Sequence, residues 1–335
     1  MESSLHNPEY IKRLIAETAF SSDGAERILR LYDILDSIAE DEFLSQHLAL
    51  KGGTALNLFV FPGLPRISED LDFDLCGRGV IEKDDALSVL NSEALPRLNE
   101  ILAKKGYVPQ ESARKRYGLH ALSLPYETNT RGRARIKMDI NYLDRVHLFK
   151  PKKRETAIPG IDLSVSAITL SLSEILAGKL CALLDRTKPR DVFDIATLSD
   201  YPLSEERMNS VHKAFIFYAA LNGFSAEQIP LAVNRIKEVS IFDYKREIFP
   251  MLKTHLGFFD AAQYNERATA LAASLVTPVK TSEVKYLNLY AQGCFRPDIL
   301  YPDKDTERLS LHPKAKADML KLHRQQLSVP ASKLR

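Results

Sequence analysis

The 335-residue sequence contains no tryptophan and only three cysteines, Cys76, Cys181 and Cys294, which lie far apart. An odd number of scattered cysteines does not make a disulfide framework, and neither they nor the eight histidines show zinc-ligand spacing. No apolar run is long enough to cross a bilayer, and the first residues lack the basic-then-apolar pattern of a signal peptide. We therefore expect a cytoplasmic protein with no membrane partner.

The sequence also lacks a large net charge, since its formal charge is only +2, but the charge is unevenly distributed. Fourteen basic and four acidic side chains fall between Lys104 and Arg154. Tyrosines are interleaved with them, at Tyr107, Tyr117, Tyr126 and Tyr142. This pattern favours a polyanionic partner whose unpaired bases stack on the tyrosines, with solvated loop charges as the alternative.

An acidic strand is indicated at Asp70-Leu-Asp-Phe-Asp-Leu75, where polar and apolar residues alternate strictly. The alternation places Asp70, Asp72 and Asp74 on one face. Carboxylates that share a face repel each other, and clustered carboxylate oxygens are suited to Mg²⁺ or Mn²⁺. The alternative is an edge strand with a solvated acidic face.

A tight turn precedes this strand at Gly52-Gly53-Thr54 and leads into an apolar, helix-compatible run. The amides at the start of such a helix can face an anion, and the Thr54 hydroxyl offers a further donor. Sixteen positions separate Thr54 from Asp70 in the sequence. Ser68 lies on the aspartate face by alternation and is a second candidate, unless it is an ordinary solvent-facing serine.

The glycine turn and the Asp-hydrophobic-Asp-hydrophobic strand resemble the signature of polymerase-beta-like nucleotidyltransferases. More narrowly, GGTAL followed by R-x-S-x-D-L-D-F, from Arg66 to Phe73, resembles the AbiEii/AbiGii (MenT-type) toxins of bacterial toxin–antitoxin and abortive-infection systems. The resemblance implies an NTP substrate and a divalent metal. It also implies nucleotide-binding roles for Gly53, Thr54, Arg66 and Ser68.

Two helical segments further on also match this family. The run from Leu172 to Arg186 has the periodicity of a helix in which Lys179 lies between apolar neighbours, either reaching past the core or aimed at a buried anion. A second helix follows, with Asp191 and Asp194 adjacent on one surface and Arg190 beside Asp194. The pair resembles the family signatures E-x-x-x-x-K-x-x-A-x-x-x-R and R-D-x-x-D. This implies that Lys179, Asp191 and Asp194 line the nucleotide pocket.

A third metal ligand is predicted at Asp139. The segment from Arg135 to Tyr142 alternates again, with Lys137, Asp139 and Asn141 on one face. If this face is continuous with that of Asp70 and Asp72, three carboxylates can hold two metal ions. Otherwise Asp139 pairs with Lys137 or an arginine on a neighbouring strand.

The resemblance predicts an α+β fold, a polymerase-beta-like nucleotidyltransferase domain with a mixed sheet flanked by helices and a helical C-terminal domain. We predict a catalytic domain over residues 1–165, with two or three N-terminal helices. The helical domain, over residues 166–335, contributes Lys179 and Asp194. Further helices are expected over 211–221, 229–239, 248–256, 267–275 and 315–327, with breaks that include Gly257 and Pro278.

The resemblance also implies the reaction, transfer of a nucleoside monophosphate from an NTP to the 3′ end of tRNA, which blocks aminoacylation and growth. Asp70, Asp72, Lys179 and Asp194 are the implied catalytic residues, and Asp70, Asp72 and Asp139 the implied metal ligands. The implied partners are the tRNA acceptor stem and a cognate antitoxin. Two alternatives are a nucleotidyltransferase acting on a protein side chain or small molecule, and a non-catalytic nucleotide- or RNA-binding module.

Overall fold

The computed structural model describes residues 5–77, 80–112, 116–254, 259–277, 279–303 and 306–328. The basic residues Arg114 and Lys115 and the predicted breaks at Gly257 and Pro278 lie outside these ranges. The helices are α1 (Pro8–Thr18), α2 (Ser22–Glu40), α3 (Leu44–His47), α4 (Gly52–Phe59), α5 (Lys83–Ser88), α6 (Leu95–Lys104), α7 (Leu172–Arg186), α8 (Pro189–Leu198), α9 (Glu205–Leu221), α10 (Gln228–Arg235), α11 (Ile241–Glu247), α12 (Ala261–Val276), α13 (Thr281–Ala291), α14 (Thr306–Ser310) and α15 (Pro313–Ser328). The strands are β1 (Leu48–Lys51), β2 (Asp70–Leu75), β3 (Gln110–Glu111), β4 (Leu119–Glu127), β5 (Arg133–Asn141), β6 (Lys152–Ala157) and β7 (Ser164–Thr169).

The first two helices begin at capping residues that bind an early amide. Asn7 accepts a hydrogen bond from the Tyr10 amide at 2.9 Å, and Ser21 accepts one from the Gly24 amide at 3.2 Å. These caps start α1 and α2, so the predicted N-terminal helices are confirmed. The amphipathic spacing from Lys83 to Lys105 also predicts a helix. It forms as α5 and α6, which are joined by a π-helical segment, Val89–Ala94.

The strands form one mixed sheet of seven, in the order β3-β4-β5-β2-β1-β7-β6. The central strand β2 runs antiparallel to β1 and parallel to β5, and β1 in turn runs parallel to β7. On β2 the side chains of Leu71 and Phe73 are buried in the core, as alternation predicts. The α+β prediction of a mixed sheet flanked by helices is therefore confirmed.

Four strands, β1, β3, β6 and β7, were not predicted. The four residues of β1 are too short to show a period, and β6 is a polar edge strand in a segment that the sequence predicts as a loop. Its backbone pairing with β7, rather than any apolar alternation, makes it a strand. The sequence also predicts a strand at Tyr107-Val108. This prediction is wrong, because pairing with β4 begins only at Gln110. β7 itself crosses the boundary proposed between residues 165 and 166.

The C-terminal part is helical from α7 onward, in agreement with the prediction. The predicted helix over 248–256 is wrong for its described residues, which form only a 3₁₀ turn at Phe249–Met251, where Pro250 removes an amide donor. The helices α11, α13 and α14 were not predicted. Among the described residues, no helix combines the length and the apolar character needed to span a bilayer.

Candidate active site

The glycine turn joins β1 to α4 and lies directly against the acidic strand. Gly52 has φ +71°, a conformation that favours glycine, and a Cβ built on it would stand 3.0 Å from Asp72 Oδ2. The antiparallel register of β1 and β2 places Lys51 opposite Asp72. Gly52 therefore allows both the left-handed turn and the close approach of the Asp72 carboxylate.

The carboxylates of Asp70, Asp72 and Asp139 lie on one face of the sheet. β2 and β5 are parallel, with Asp70 opposite Lys137 and Asp72 opposite Asp139. Burial raises the pKa of Asp72 to about 6; nearby Lys51 opposes this shift, while Asp70 and Asp139 add to it. Burial, together with Asp70, also raises the pKa of Asp139. These carboxylates thus lack enough positive charge nearby, as expected of groups that bind a cation.

The contacts of these carboxylates bear on the prediction that they bind a divalent metal. Within the described ranges, no donor hydrogen-bonds the carboxylate of Asp70 or Asp72, and both line the same cavity. Asp139 does not line it. Across the described chain, no three His, Cys, Asp or Glu side chains stand together as a ready-made metal site. Asp70 and Asp72 therefore fit a divalent cation as a pair, whereas a contribution from Asp139 stays a prediction.

The hydroxyls of Thr54 and Ser68 bind each other, with 2.6 Å between the two Oγ atoms. Thr54 Oγ1 also donates to the backbone carbonyl of Asp70, so Ser68 is the donor in the hydroxyl pair. Both residues are buried and line the cavity. Their hydroxyls thus fix the start of β2 relative to α4, and the predicted phosphate contacts would require these bonds to rearrange.

Lys179 lies at the centre of an ion-pair cluster formed by Arg66, Lys179, Arg186, Asp191 and Asp194. Its Nζ is 2.9 Å from Asp191 Oδ1 and 2.8 Å from Asp194 Oδ2. Burial disfavours the charged lysine, but the two carboxylates outweigh it and raise its pKa. Of the two possibilities that the helix periodicity left open, Lys179 is aimed inward at buried anions.

The remaining cations of the cluster also bind its two carboxylates. Arg66 donates to both oxygens of Asp194, from Nε at 2.8 Å and from a terminal nitrogen at 2.7 Å, and Arg186 Nε lies 2.8 Å from Asp191 Oδ2. Burial alone would raise the pKa values of Asp191 and Asp194, yet these cations hold both below the ordinary value. Three cations face two anions, so the cluster carries a formal charge of +1.

This excess positive charge lies directly beneath the glycine turn. A Cβ built on Gly53 would stand 2.8 Å from a terminal nitrogen of Arg66 and 3.7 Å from Asp194 Oδ2. Gly53 is therefore the residue that lets the backbone approach the cluster. The positive charge of the cluster would attract an anion bound at the turn, because the largely buried surroundings screen this charge only weakly.

A cavity of about 370 Å³ connects these parts. The predicted site residues that line it are Gly53, Thr54, Arg66, Ser68, Asp70, Asp72 and Lys179. Asp191 and Asp194 do not line it and act on it only through Arg66, Lys179 and Arg186. The four sequence motifs thus meet around a single cavity.

Several cavity residues were not predicted. Lys51 lies 2.5 Å from Asp74 Oδ1, and its position directly before the two glycines was the available signal. Arg186 and Arg190 belong to the helical motifs but received no role. Arg190 lies 4.0 Å from Asp70, whereas the cations that pair with Asp194 in the described part of the chain are Arg66 and Lys179. Tyr218 enters from α9 and donates to Glu174 at 2.8 Å, a contact between distant segments for which the sequence offers no signal.

The basic segment is divided between structural and exposed residues. Arg133, Arg135 and Lys137 are exposed and, by alternation, share the face of β5 that carries Asp139. Arg145 is buried and donates to the carbonyl of Ile81. The exposed residues form a basic strip of Arg133, Arg135 and Lys137, which leads away from the carboxylates.

The interleaved tyrosines do not form a stacking surface together. Tyr107 is buried and its hydroxyl accepts a hydrogen bond from Arg30, so the prediction that it stacks on bases is wrong. Arg30 also lies over the Tyr126 ring, 4.3 Å from its centroid. Tyr117 is 66% exposed, which leaves its ring accessible.

The comparisons with known proteins agree with this geometry. A family model described as the nucleotidyl transferase AbiEii toxin of type IV toxin–antitoxin systems matches residues 33–272. Among solved structures, the fold is similar to that of MenT4, a nucleotidyltransferase toxin from Mycobacterium tuberculosis H37Rv, with a TM-score of 0.53 and 14% identity over 93% of this chain and 98% of that chain. No curated protein matches the sequence. Because the family model spans most of the chain, the chain belongs to the AbiEii family of nucleotidyltransferase toxins.

Proposed function

We propose that this protein transfers a nucleoside monophosphate from an NTP to the 3′ end of tRNA and thereby blocks aminoacylation. The observation that carries the proposal is the continuity of one sheet face. Asp70, Asp72 and Asp139 lie at one end of it, and the basic strip on β5 extends from there. A donor site thus lies beside a surface suited to a nucleic-acid backbone.

In this mechanism Asp70 and Asp72 would hold Mg²⁺ or Mn²⁺, with Asp139 as the proposed third ligand. When bound, the metal would neutralise charge on the triphosphate and on the leaving group. The glycine turn would present backbone amides to the phosphates, and the charge of the ion-pair cluster beneath it would stabilise them. Lys179 and Asp194 would therefore act as an electrostatic support under the turn.

The reaction itself is an in-line displacement. The acceptor hydroxyl attacks the α-phosphorus, a new ester bond forms, and the bond to the β-phosphate breaks with release of pyrophosphate. The hydroxyl proton passes to water as the new ester bond forms. The chain's own contribution is to bind and orient both substrates and to place positive charge where the pyrophosphate charge develops.

The test incubates the purified protein with Mg²⁺, each α-labelled NTP in turn, and bulk tRNA. Label at the tRNA 3′ end, together with loss of aminoacylation, supports the proposal. Label on a protein or on a small molecule supports the alternative of a nucleotidyltransferase with that acceptor. RNA binding without any transfer supports the alternative of a non-catalytic binding module.

We also propose a cognate antitoxin, because the family is one of toxin–antitoxin systems. Expression of the chain alone should stop bacterial growth. Co-expression of the small protein encoded beside its gene should restore it, and growth arrest that an Asp72→Asn variant reproduces fully would contradict an enzymatic toxin.

A further inference from the structure

The cations that line the cavity differ in how firmly they are held. Four of them have a carboxylate within 2.9 Å: Lys51 with Asp74, Arg66 with Asp194, Lys179 with Asp194, and Arg186 with Asp191. The fifth, Arg190, has its closest carboxylate, Asp70, at 4.0 Å. Among the described residues, the Arg190 guanidinium makes no hydrogen bond.

Arg190 is nevertheless well positioned. It occupies the first turn of α8, directly after Pro189, whose ring fixes the backbone at the helix start. Its side chain is 30% exposed and lines the cavity, and the Asp70 carboxylate is likewise 30% exposed. The guanidinium is thus held near Asp70 by charge and can form a hydrogen bond to a new partner without breaking an existing one.

We propose that Arg190 is a phosphate-binding residue of the donor site and that it competes with a divalent cation for Asp70. This inference rests on the proposed function, since it assumes that the cavity binds a triphosphate. The planar guanidinium matches two phosphate oxygens at once, whereas Lys179 already binds Asp191 and Asp194, and Arg66 already binds Asp194 through two hydrogen bonds. A cation on Asp70 repels Arg190, and the phosphates that accompany the metal attract it.

The inference predicts effects of opposite sign for one substitution. Arg190→Met removes a positive charge next to Asp70, so Mn²⁺ should bind more tightly when no phosphate is present. The same variant loses a charge-assisted contact to phosphate, so a polyphosphate should bind more weakly. Replacing a residue that only supports the fold would not strengthen the binding of one ligand and weaken the binding of the other.

The experiment measures the binding of Mn²⁺ alone, and of inorganic tripolyphosphate with Mg²⁺, by calorimetry on the full chain. Variants are Arg190→Met, Arg190→Lys and the control Arg246→Met, which removes the same charge from a side chain that is 70% exposed on α11. Arg190→Met should bind Mn²⁺ several-fold more tightly and tripolyphosphate about tenfold or more weakly. The affinity of Arg190→Lys for tripolyphosphate should fall between those of Arg190→Met and the wild type.

Equal affinities in Arg190→Met and Arg246→Met would overturn the inference. So would weaker binding of both ligands by Arg190→Met, if that variant unfolds at the same urea concentration as the wild type. The inference also fails if the wild type binds neither ligand. If Arg190→Met fails to fold, Arg190→Lys decides, because it keeps the charge and loses the bidentate geometry. Binding without nucleotide transfer would contradict the proposed function while the affinities still decide the role of Arg190.

Discussion

Lys179 and Asp194 form a buried ion pair between consecutive helices, with 2.8 Å from Nζ to Oδ2. Both side chains are more than nine-tenths buried, and Asp194 is also bound by Arg66 through two hydrogen bonds. The pair therefore locks α7 and α8 to the segment that precedes the acidic strand. The same ion pair therefore contributes to the stability of the fold and to the charge beneath the glycine turn.

Replacing Lys179 should damage stability as well as transfer. Lys179→Met leaves Asp191 and Asp194 with one cation fewer in a buried setting, a change that costs about 3–5 kcal/mol of unfolding free energy. Urea unfolding measures the loss. Lys188→Met, which removes an exposed lysine just before α8, is the control and should unfold like the wild type; equal stability of the two variants would contradict a structural role for the cluster.

Replacing Asp72 should remove transfer with little loss of RNA binding. Asp72→Asn keeps the size of the side chain but removes a charge that would hold the metal, so the rate should fall at least about 100-fold. Labelled-NTP transfer and RNA affinity are measured in parallel. Glu69→Gln makes the same charge change close by, at a carboxylate paired with Arg27, and should keep near wild-type activity.

The glycine turn offers a matched pair of substitutions. Gly52 and Gly63 have φ values of +71° and +72°, but only at Gly52 would a new Cβ approach another residue, Asp72 Oδ2 at 3.0 Å. Alanine at either position should cost about 1–2 kcal/mol of stability through backbone strain. Gly52→Ala should in addition lose transfer activity, because it displaces the Asp72 carboxylate. Comparable activity of the two variants would refute the proposed role of the turn.

The ion-pair cluster predicts how stability changes with pH. The folded-state pKa of Asp191 lies below its ordinary value of 3.8, so its stabilising contribution is complete above pH 3.8 and is lost as pH falls through the folded-state value. Asp191→Asn cannot titrate there. The unfolding free-energy difference between wild type and Asp191→Asn should thus be constant at neutral pH and shrink below pH 3.8. Urea titrations at several pH values measure it; a difference that grows on acidification would contradict the assignment.

The basic strip should contribute to RNA affinity through charge. Changing Arg133, Arg135 and Lys137 to glutamine should weaken tRNA binding and lower the slope of log affinity against log salt by about 2–3. Glutamine at the exposed residues Lys213, Lys245 and Arg246 makes the same change in net charge elsewhere and serves as the control. Identical salt slopes in the two triple variants would exclude this strip as the RNA surface.

The sequence by itself determined the elements that carry local periodicity. The alternation from Asp70 to Leu75 fixes which side chains face the core, and the apolar spacing from Leu172 to Arg186 sets a helix whose bounds agree with the structure. The i, i+3 spacing of Asp191 and Asp194 places them on one surface, where both contact Lys179. Such relations depend on neighbouring residues, so backbone geometry alone is enough to predict them.

Only the tertiary structure decided how these elements meet. The register of β2 against β5 puts Asp139 opposite Asp72, and the strand status of β6 depends on a partner rather than on its own residues. Lys179 and Arg66 form ion pairs with carboxylates that the fold brings to them from other segments of the chain. Long-range pairing and burial set these outcomes, because the free energy of a buried charge depends on every group packed around it.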